Sequence, residues 1–166
     1  MMAALSTVLM LTGYFPYLTY TIPCIASLPI MVSLIEFNKK SAFGAYAASV
    51  LPVFLLCEPE AKFLYLLFIG YYPVLKSIFE GFKNRIAEYT LKLLCFNSAV
   101  AIIYFAAKYL SGISYSELGS FGKYGVPVFI LLANTAFLAY DICLTKMSVF
   151  YLLRFHKPIS KIINKK

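Results

Sequence analysis

Apolar residues run along this chain in long stretches, separated by short polar or helix-breaking punctuation. The first, Met2–Leu11, meets a break at Gly13-Tyr14-Phe15-Pro16. The second, Tyr20–Ile35, holds Pro23 and Pro29 and stops at Glu36-Phe37-Asn38-Lys39-Lys40. The third, Ser41–Leu56, is rich in Ala, Gly and Ser and stops at Cys57-Glu58-Pro59-Glu60. The fourth, Lys62–Phe79, carries Gly70 and Pro73 and stops at Glu80-Gly81-Phe82-Lys83-Asn84-Arg85. The fifth, Ile86–Leu110, leads into a polar loop from Ser111 to Gly125. The sixth, Val126–Leu144, continues as an amphipathic tail through Phe155 until Pro158. A membrane-crossing helix needs about 20 residues, with a range of roughly 17–25. Stretches four to six meet that length. Stretches one to three are marginal, and short apolar segments enter a bilayer as re-entrant pieces or by thinning it. The pattern predicts an all-α polytopic membrane protein, with six transmembrane helices in a compact bundle; five crossings is the other count the lengths permit. Residues 1–152 would form the transmembrane domain and 153–166 a basic tail.

Composition agrees. The apolar fraction is 61% and mean hydropathy is +0.80, whereas soluble domains hold about 45–50% apolar residues. Charged residues make up 13%, about half the soluble norm, too few to coat a water-facing surface of this size. Met1-Met2-Ala3-Ala4-Leu5 enters an apolar run with no basic n-region, so the first helix is expected to be retained rather than cleaved.

The net charge of +8 raises the question of nucleic acid, but the charges sit in clusters between apolar runs rather than along one face. With the N-terminus inside, the inner segments hold Lys39, Lys40, Lys83, Arg85, Lys146, Arg154, Lys157, Lys161, Lys165 and Lys166. The outer loops hold Lys62 and Lys123, with Lys108 at a helix end. That asymmetry places both termini in the cytoplasm and the chain in the cell membrane, with no nucleic-acid partner. Tyr14, Tyr17, Tyr20, Tyr109 and Tyr124 fall near predicted helix ends, where a ring with one polar edge prefers the headgroup level.

Candidate chemistry is sparse. Cys24, Cys57, Cys95 and Cys143 are far apart and lack metal-ligand spacing; they read as apolar filler, with a Cys24–Cys57 disulfide near the outer face as the other option. His156, the single histidine, lies in the basic tail and reads as interfacial. No phosphate-binding loop or hydrolase motif occurs, so any ATP hydrolysis would need a partner chain, and no cofactor is expected. Polar groups inside apolar spans are costly and face a bundle interior or cavity. Asn97, Asn134 and Asp141 are such groups. The Asn residues read as interhelical hydrogen bonds or as ligand contacts. Asp141 reads as paired with Lys146 or another inner-surface base. Glu88 and Lys92, at i and i+4, read as a surface pair. Gly70-Tyr71-Tyr72-Pro73 combines a missing backbone donor with a small residue, so Tyr71 and Tyr72 line either a pocket or a packing kink. Gly13-Tyr14-Phe15-Pro16-Tyr17 is a similar break. Ala3, Ala4, Ser6 and Thr7 place small side chains along the first helix, which permits close helix contact.

The opening Met2-Ala3-Ala4-Leu5-Ser6-Thr7-Val8-Leu9-Met10, the Pro-containing loop after it, the length and the lack of an ATPase motif resemble the substrate-binding S components of energy-coupling factor transporters. Gly70-Tyr71-Tyr72-Pro73 also resembles small bacterial membrane proteins distantly related to that fold. The resemblance implies a six-helix bundle that binds a vitamin-like nutrient near the outer face and docks on a transmembrane coupling subunit with ATPase subunits. It nominates Tyr14, Tyr17, Tyr20, Tyr65, Asn97 and Asn134 for the pocket, with a small uncharged or aromatic solute and no metal. The docking pair would fall on Ala3 and Thr7, or on Ala4 and Val8. Two other classes stay open. A scaffolding membrane protein, for example in cell-wall synthesis, would work through a lateral face such as the Ala/Gly/Ser-rich third helix. A membrane enzyme would have to draw on Asp141, Glu88 and Lys92.

Overall fold

The computed structural model describes residues 1–15, 18–82, 84–110 and 125–154, without the side chains of 104–110, 125–127 and 129. All regular structure among these residues is helical. Helix α1 (Met2–Leu11) tightens into a 3-10 turn, Thr12–Tyr14, and ends where Phe15 turns extended. Helices α2 (Thr21–Ala26) and α3 (Leu28–Glu36) form one rod broken at Ser27. Pro29 opens α3, where a missing N–H has no intrahelical partner to lose. Helix α4 (Lys39–Leu56) accommodates Pro52. Helix α5 (Pro59–Leu64), a π-helical turn (Tyr65–Ile69) and α6 (Tyr72–Phe79) make a second broken rod. Helix α7 (Arg85–Leu110) starts where the Asn84 side-chain oxygen accepts the Ile86 N–H at 3.1 Å, a side-chain cap of the kind Asn favours. Helix α8 is Gly125–Arg154. The predicted tail boundary at residue 152 falls inside α8, and residues 155–166 lie outside the described residues.

Among the described residues three rods are long and apolar enough to cross a membrane: Pro59–Phe79, Arg85–Ile103 and Ile130–Arg154. Met2–Tyr14 and Thr21–Glu36 are apolar but shorter. Helix α4, with 18 residues, spans about 27 Å, but it falls short on apolarity because two lysines open it. The polarity of the whole is inverted relative to a water-soluble protein. Leu51, Leu55, Leu94, Leu131 and Leu153 point outward, each between 63% and 78% exposed, while Lys76, Glu88, Lys92 and Asp141 are buried. Lipid as solvent stabilises that arrangement and water does not.

The rods pack around two main cores. Met10, Ile22, Ala26, Val53, Cys57, Ala61 and Tyr65 join α1, α2, α4 and α5. Met31, Phe68, Ile69, Tyr72, Ala99, Phe137 and Leu144 join α3 and the π turn to α6, α7 and α8. Phe68 sits among Tyr72, Phe96 and Phe137, with Phe96 and Phe137 stacked at 4.5 Å. Polar contacts tie each end of the bundle. At one end Tyr14 donates to the Leu56 carbonyl (2.6 Å), Thr19 to Glu58 (3.2 Å) and Tyr20 to Glu60 (2.9 Å). At the other, Lys39 donates to the Ser77 carbonyl (3.3 Å) and Tyr151 to Glu36 (2.8 Å). This second end gathers the segments at 36–40, 80–82 and 151–154, which the charge pattern assigns to one side.

Candidate functional site

The α5–α6 rod has to solve a local hydrogen-bonding problem. In its π turn the Gly70 N–H bonds to the Tyr65 carbonyl at 2.8 Å, one residue further back than in an α-helix. Pro73 brings no N–H at all. Carbonyls on this stretch are therefore short of helical donors, and two tyrosine hydroxyls supply them: Tyr46 donates to Leu66 (2.5 Å) and Tyr71 to Leu67 (2.6 Å). Gly70 is what admits Tyr46, since a Cβ there would lie 2.8 Å from the Tyr46 ring and 2.8 Å from the Tyr65 carbonyl oxygen. The break is filled by an α4 side chain, so of its two readings the structure realises the packing kink.

Just past the kink, α6 continues with Tyr72, Lys76 and Glu80, one helical turn apart on one face. Lys76 and Tyr72 both reach Asp141 on α8: the Tyr72 hydroxyl donates to Oδ1 at 2.6 Å, and the Lys76 ammonium contacts the same oxygen and the Asp141 carbonyl (3.1 Å). Lys92 on α7 donates to the other carboxylate oxygen at 3.3 Å and to Glu88 at 2.7 Å. Glu80 Oε1 closes the circuit, 3.1 Å from Lys76 and 3.5 Å from Lys92. Each ammonium thus has three oxygen neighbours within 3.5 Å, two as hydrogen-bond acceptors and Glu80 as an ion pair. Three carboxylates face two ammoniums, which leaves one formal negative charge. The Glu80 side chain is 44% exposed, against 11% or less for the four others, so the surplus sits where solvent or headgroups reach it.

One reading from the sequence is narrowed and one is corrected. Of the partners open to Asp141, Lys146 or another base of the inner end, the structure pairs it with Lys76 and Lys92, because Asp141 faces the core beside Phe137 and Leu144 while Lys146 is exposed. Glu88 and Lys92 do pair, but in the interior and not at the surface, with the two residues 8% and 2% exposed. Lys76 was invisible as a single lysine inside an apolar run. Its signal was the i, i+4, i+8 series Tyr72, Lys76, Glu80, which puts two charges and a hydroxyl on one helix face.

The expected pocket residues are dispersed. Tyr14 and Tyr20 bond at one end of the bundle, as above. Tyr65 is fully buried and its hydroxyl shares a hydrogen bond with Ser49 at 2.9 Å. Tyr71 closes onto its own rod, and Tyr72 belongs to the ionic cluster. Asn97 and Asn134 form a reciprocal pair between α7 and α8 at 3.0 and 3.2 Å, each also donating to the carbonyl one turn back; both amide donors are used. Tyr17 lies outside the described residues, as do Lys83, Lys123, Tyr124 and His156. On α1, Ala3 and Thr7 are half-buried and Thr7 donates to the Ala3 carbonyl (2.9 Å), whereas Ala4 and Val8 are exposed.

All four cysteines are free. Cys57 is buried in the first core, and that burial raises its thiol pKa, against the opposing pull of Lys62. No group of three or more His, Cys, Asp or Glu side chains fit to hold a metal occurs among the described residues. Two clefts flank the α3–α8 seam. One, of about 60 Å³, is lined by Pro73, Lys76, Ser77 and Glu80 together with Met31, Leu34, Ile35, Leu144 and Ser148, and it opens onto the ionic cluster. The other, of about 220 Å³, is apolar and lined by Cys24, Ile25, Leu28, Tyr140, Cys143, Leu144 and Met147. Compared with protein-family models, curated proteins and solved structures, the chain matches none.

Proposed function

We propose that this chain is a solute-binding subunit of a membrane transporter, crossing the cell membrane six times with both ends in the cytoplasm and relying on partner chains for coupling and ATP hydrolysis. One observation carries the reading: four buried charges, Lys76, Glu88, Lys92 and Asp141, with the half-exposed Glu80 at their rim, lie between three rods that are long and apolar enough to cross a membrane. Charged side chains buried among apolar spans are rare, and they mark ion or substrate pathways. Apolar side chains of similar volume hold helices together at least as well as a buried ionic cluster does, so the cluster serves something beyond cohesion. The resemblance to energy-coupling factor S components supplies the partners: a transmembrane coupling subunit and ATPases, docking on α1 through Ala3 and Thr7 or through Ala4 and Val8. The exposure of Ala4 and Val8 supports the second pair.

The test is purification of the chain from its native membrane in mild detergent, with mass spectrometry of bound small molecules and associated proteins. Recovery of a stoichiometric solute together with ATPase and coupling subunits is the expected result. Recovery of the chain with neither rejects the proposal.

A second reading has its own observation. The hydroxyls of Tyr14, Tyr20, Tyr65, Tyr71 and Tyr72 are all engaged with other groups of the chain, as they would be in a scaffolding protein whose working surface is lateral. Helix α4 offers such a surface, with Phe43, Leu51 and Leu55 exposed and Gly44 open to its surroundings. Association with cell-wall synthesis enzymes through α4, and with no ATPase, would favour it.

A further inference from the structure

The ionic cluster has an asymmetry that points to a ligand class. Asp141 and Glu88 are buried and each makes one short contact, Asp141 with Lys76 and Glu88 with Lys92 at 2.7 Å, whereas Glu80 is half-exposed and comes no closer than 3.1 Å to Lys76 and 3.5 Å to Lys92. Glu80 is also the C-cap of α6, beside Gly81, so its backbone belongs to the turn rather than to the helix body. The cleft that reaches Lys76 is walled by Glu80 itself. Its volume of about 60 Å³ corresponds to roughly two waters at about 30 Å³ each, space for a single carboxylate or small oxyanion group. Ser148, on the same wall, donates its hydroxyl to the Met31 thioether at 2.9 Å. A thioether is a weak acceptor, and an anionic oxygen in the cleft would be a stronger one.

We infer that Lys76 and Lys92 form a binding site for a small oxyanion, a carboxylate or phosphate group, which Glu80 occupies until the ligand displaces it. Charge supports the exchange. When Glu80 swings out, the two ammoniums are left with Asp141 and Glu88, a neutral set. A monoanion then restores the original count, so ligand for Glu80 is an exchange of like charge at one position. Asp141, itself held by the Tyr72 hydroxyl, keeps Lys76 in place throughout, since neither Tyr72 nor Asp141 lines the cleft. This deepens the solute-binding reading and rests on it for biological meaning, but not for its measurement. It also departs from the uncharged ligand expected from the sequence.

The experiment uses the full chain in phosphatidylcholine nanodiscs, titrated with sodium acetate and inorganic phosphate, with sodium chloride as the ionic-strength control. Binding is read by calorimetry and by the shift in melting temperature. Saturable binding of acetate or phosphate, absent for chloride, is expected. Glu80→Gln removes the internal competitor and should tighten binding about tenfold, the worth of one charge-assisted hydrogen bond. Lys76→Gln should abolish it. Ser148→Ala, which touches no ionic contact, should weaken it a few-fold and serves where Lys76→Gln does not fold. Nanodiscs containing phosphatidylglycerol separate the two sources of the anion: loss of acetate and phosphate binding there identifies a lipid headgroup as occupant, and unchanged binding identifies a soluble solute; either result supports the site. No saturable binding by any variant, or binding equal in wild type, Glu80→Gln and Ser148→Ala, overturns the inference. The readout needs no partner chain, so a failed search for ATPase subunits leaves it standing. Conversely, an ATPase-associated chain that binds no oxyanion sinks this inference alone.

Discussion

Replacing Asp141 with Ala tests whether the ionic cluster is the keystone of the α6, α7 and α8 packing. The carboxylate accepts from Tyr72, Lys76 and Lys92, and the residue is 5% exposed. Its removal leaves two largely buried ammoniums with Glu80 and Glu88 as their remaining counter-charges, and a buried tyrosine hydroxyl without its acceptor. Removing one partner of a buried ion pair costs about 3–5 kcal/mol, most of it the penalty for the charge left behind. For a domain of this size 1 kcal/mol corresponds to about 2–4 °C in Tm, so Asp141→Ala should lower the melting temperature in detergent by on the order of 10 °C. Asp141→Asn keeps an acceptor for Tyr72 and loses the charge, and should fall between. The informative control removes the charges together: a Lys76→Met, Lys92→Met, Asp141→Leu triple variant should recover most of the loss, because the residual charges at Glu80 and Glu88 can reach the bundle end. The assay is thermal unfolding followed by intrinsic tyrosine signal and by aggregation of the detergent-solubilised protein. A loss below about 1 kcal/mol for Asp141→Ala, in the range of an exposed pair, would refute the claim that these charges are dry and mutually dependent.

Three further outcomes follow. Gly70→Ala places a Cβ against a backbone oxygen that cannot move aside, and should cost about 1–3 kcal/mol as an overpacking substitution; trimming Tyr46 to Leu should relieve only part of it, and full recovery in that double variant would show that the Tyr65 carbonyl is not a constraint. Asn97→Leu strands Asn134 and should cost about 0.6–1.7 kcal/mol, the span found for interhelical hydrogen bonds in membranes, whereas Asn97→Leu with Asn134→Leu should be closer to neutral; additive losses would mean that the amides do not act as a pair. Cysteines introduced at Phe82 and at Asn38 should be labelled by a membrane-impermeant thiol reagent only after the cells are opened, and one at Glu60 in intact cells; labelling of all three from outside would overturn the assigned orientation.

The helical rods were legible in the sequence because lipid imposes a simple rule: every backbone polar group must be satisfied within the segment, so charges and breakers mark the ends. That is why the breaks at Gly13 and at Cys57-Glu58-Pro59 fall where helices end, and why α8 runs on past Leu144 to Arg154. The cluster was half legible for the opposite reason. Glu88 and Lys92 are four residues apart and announce each other, so their pairing could be read, but their burial depends on α6 and α8, which lie far away in sequence. Asp141 is 65 residues from Lys76 and 49 from Lys92, and no local pattern orders one lysine over another as its partner. The tyrosines show the same limit. Tyr46 was one aromatic among 14 tyrosines, and nothing in its neighbourhood says that it fills the gap at Gly70 and donates to the Leu66 carbonyl. What the sequence does contain is a supply argument. A stretch with a proline and a glycine inside an apolar span lacks backbone donors, lipid supplies none, and so some side-chain hydroxyl must. In a chain with so few polar residues, tyrosine is the abundant donor whose ring is itself apolar, so many of its tyrosines serve as structural hydrogen-bond donors. The ionic cluster reaches the surface only at its rim, where the half-exposed Glu80 covers Lys76 and Lys92, the groups a ligand would meet.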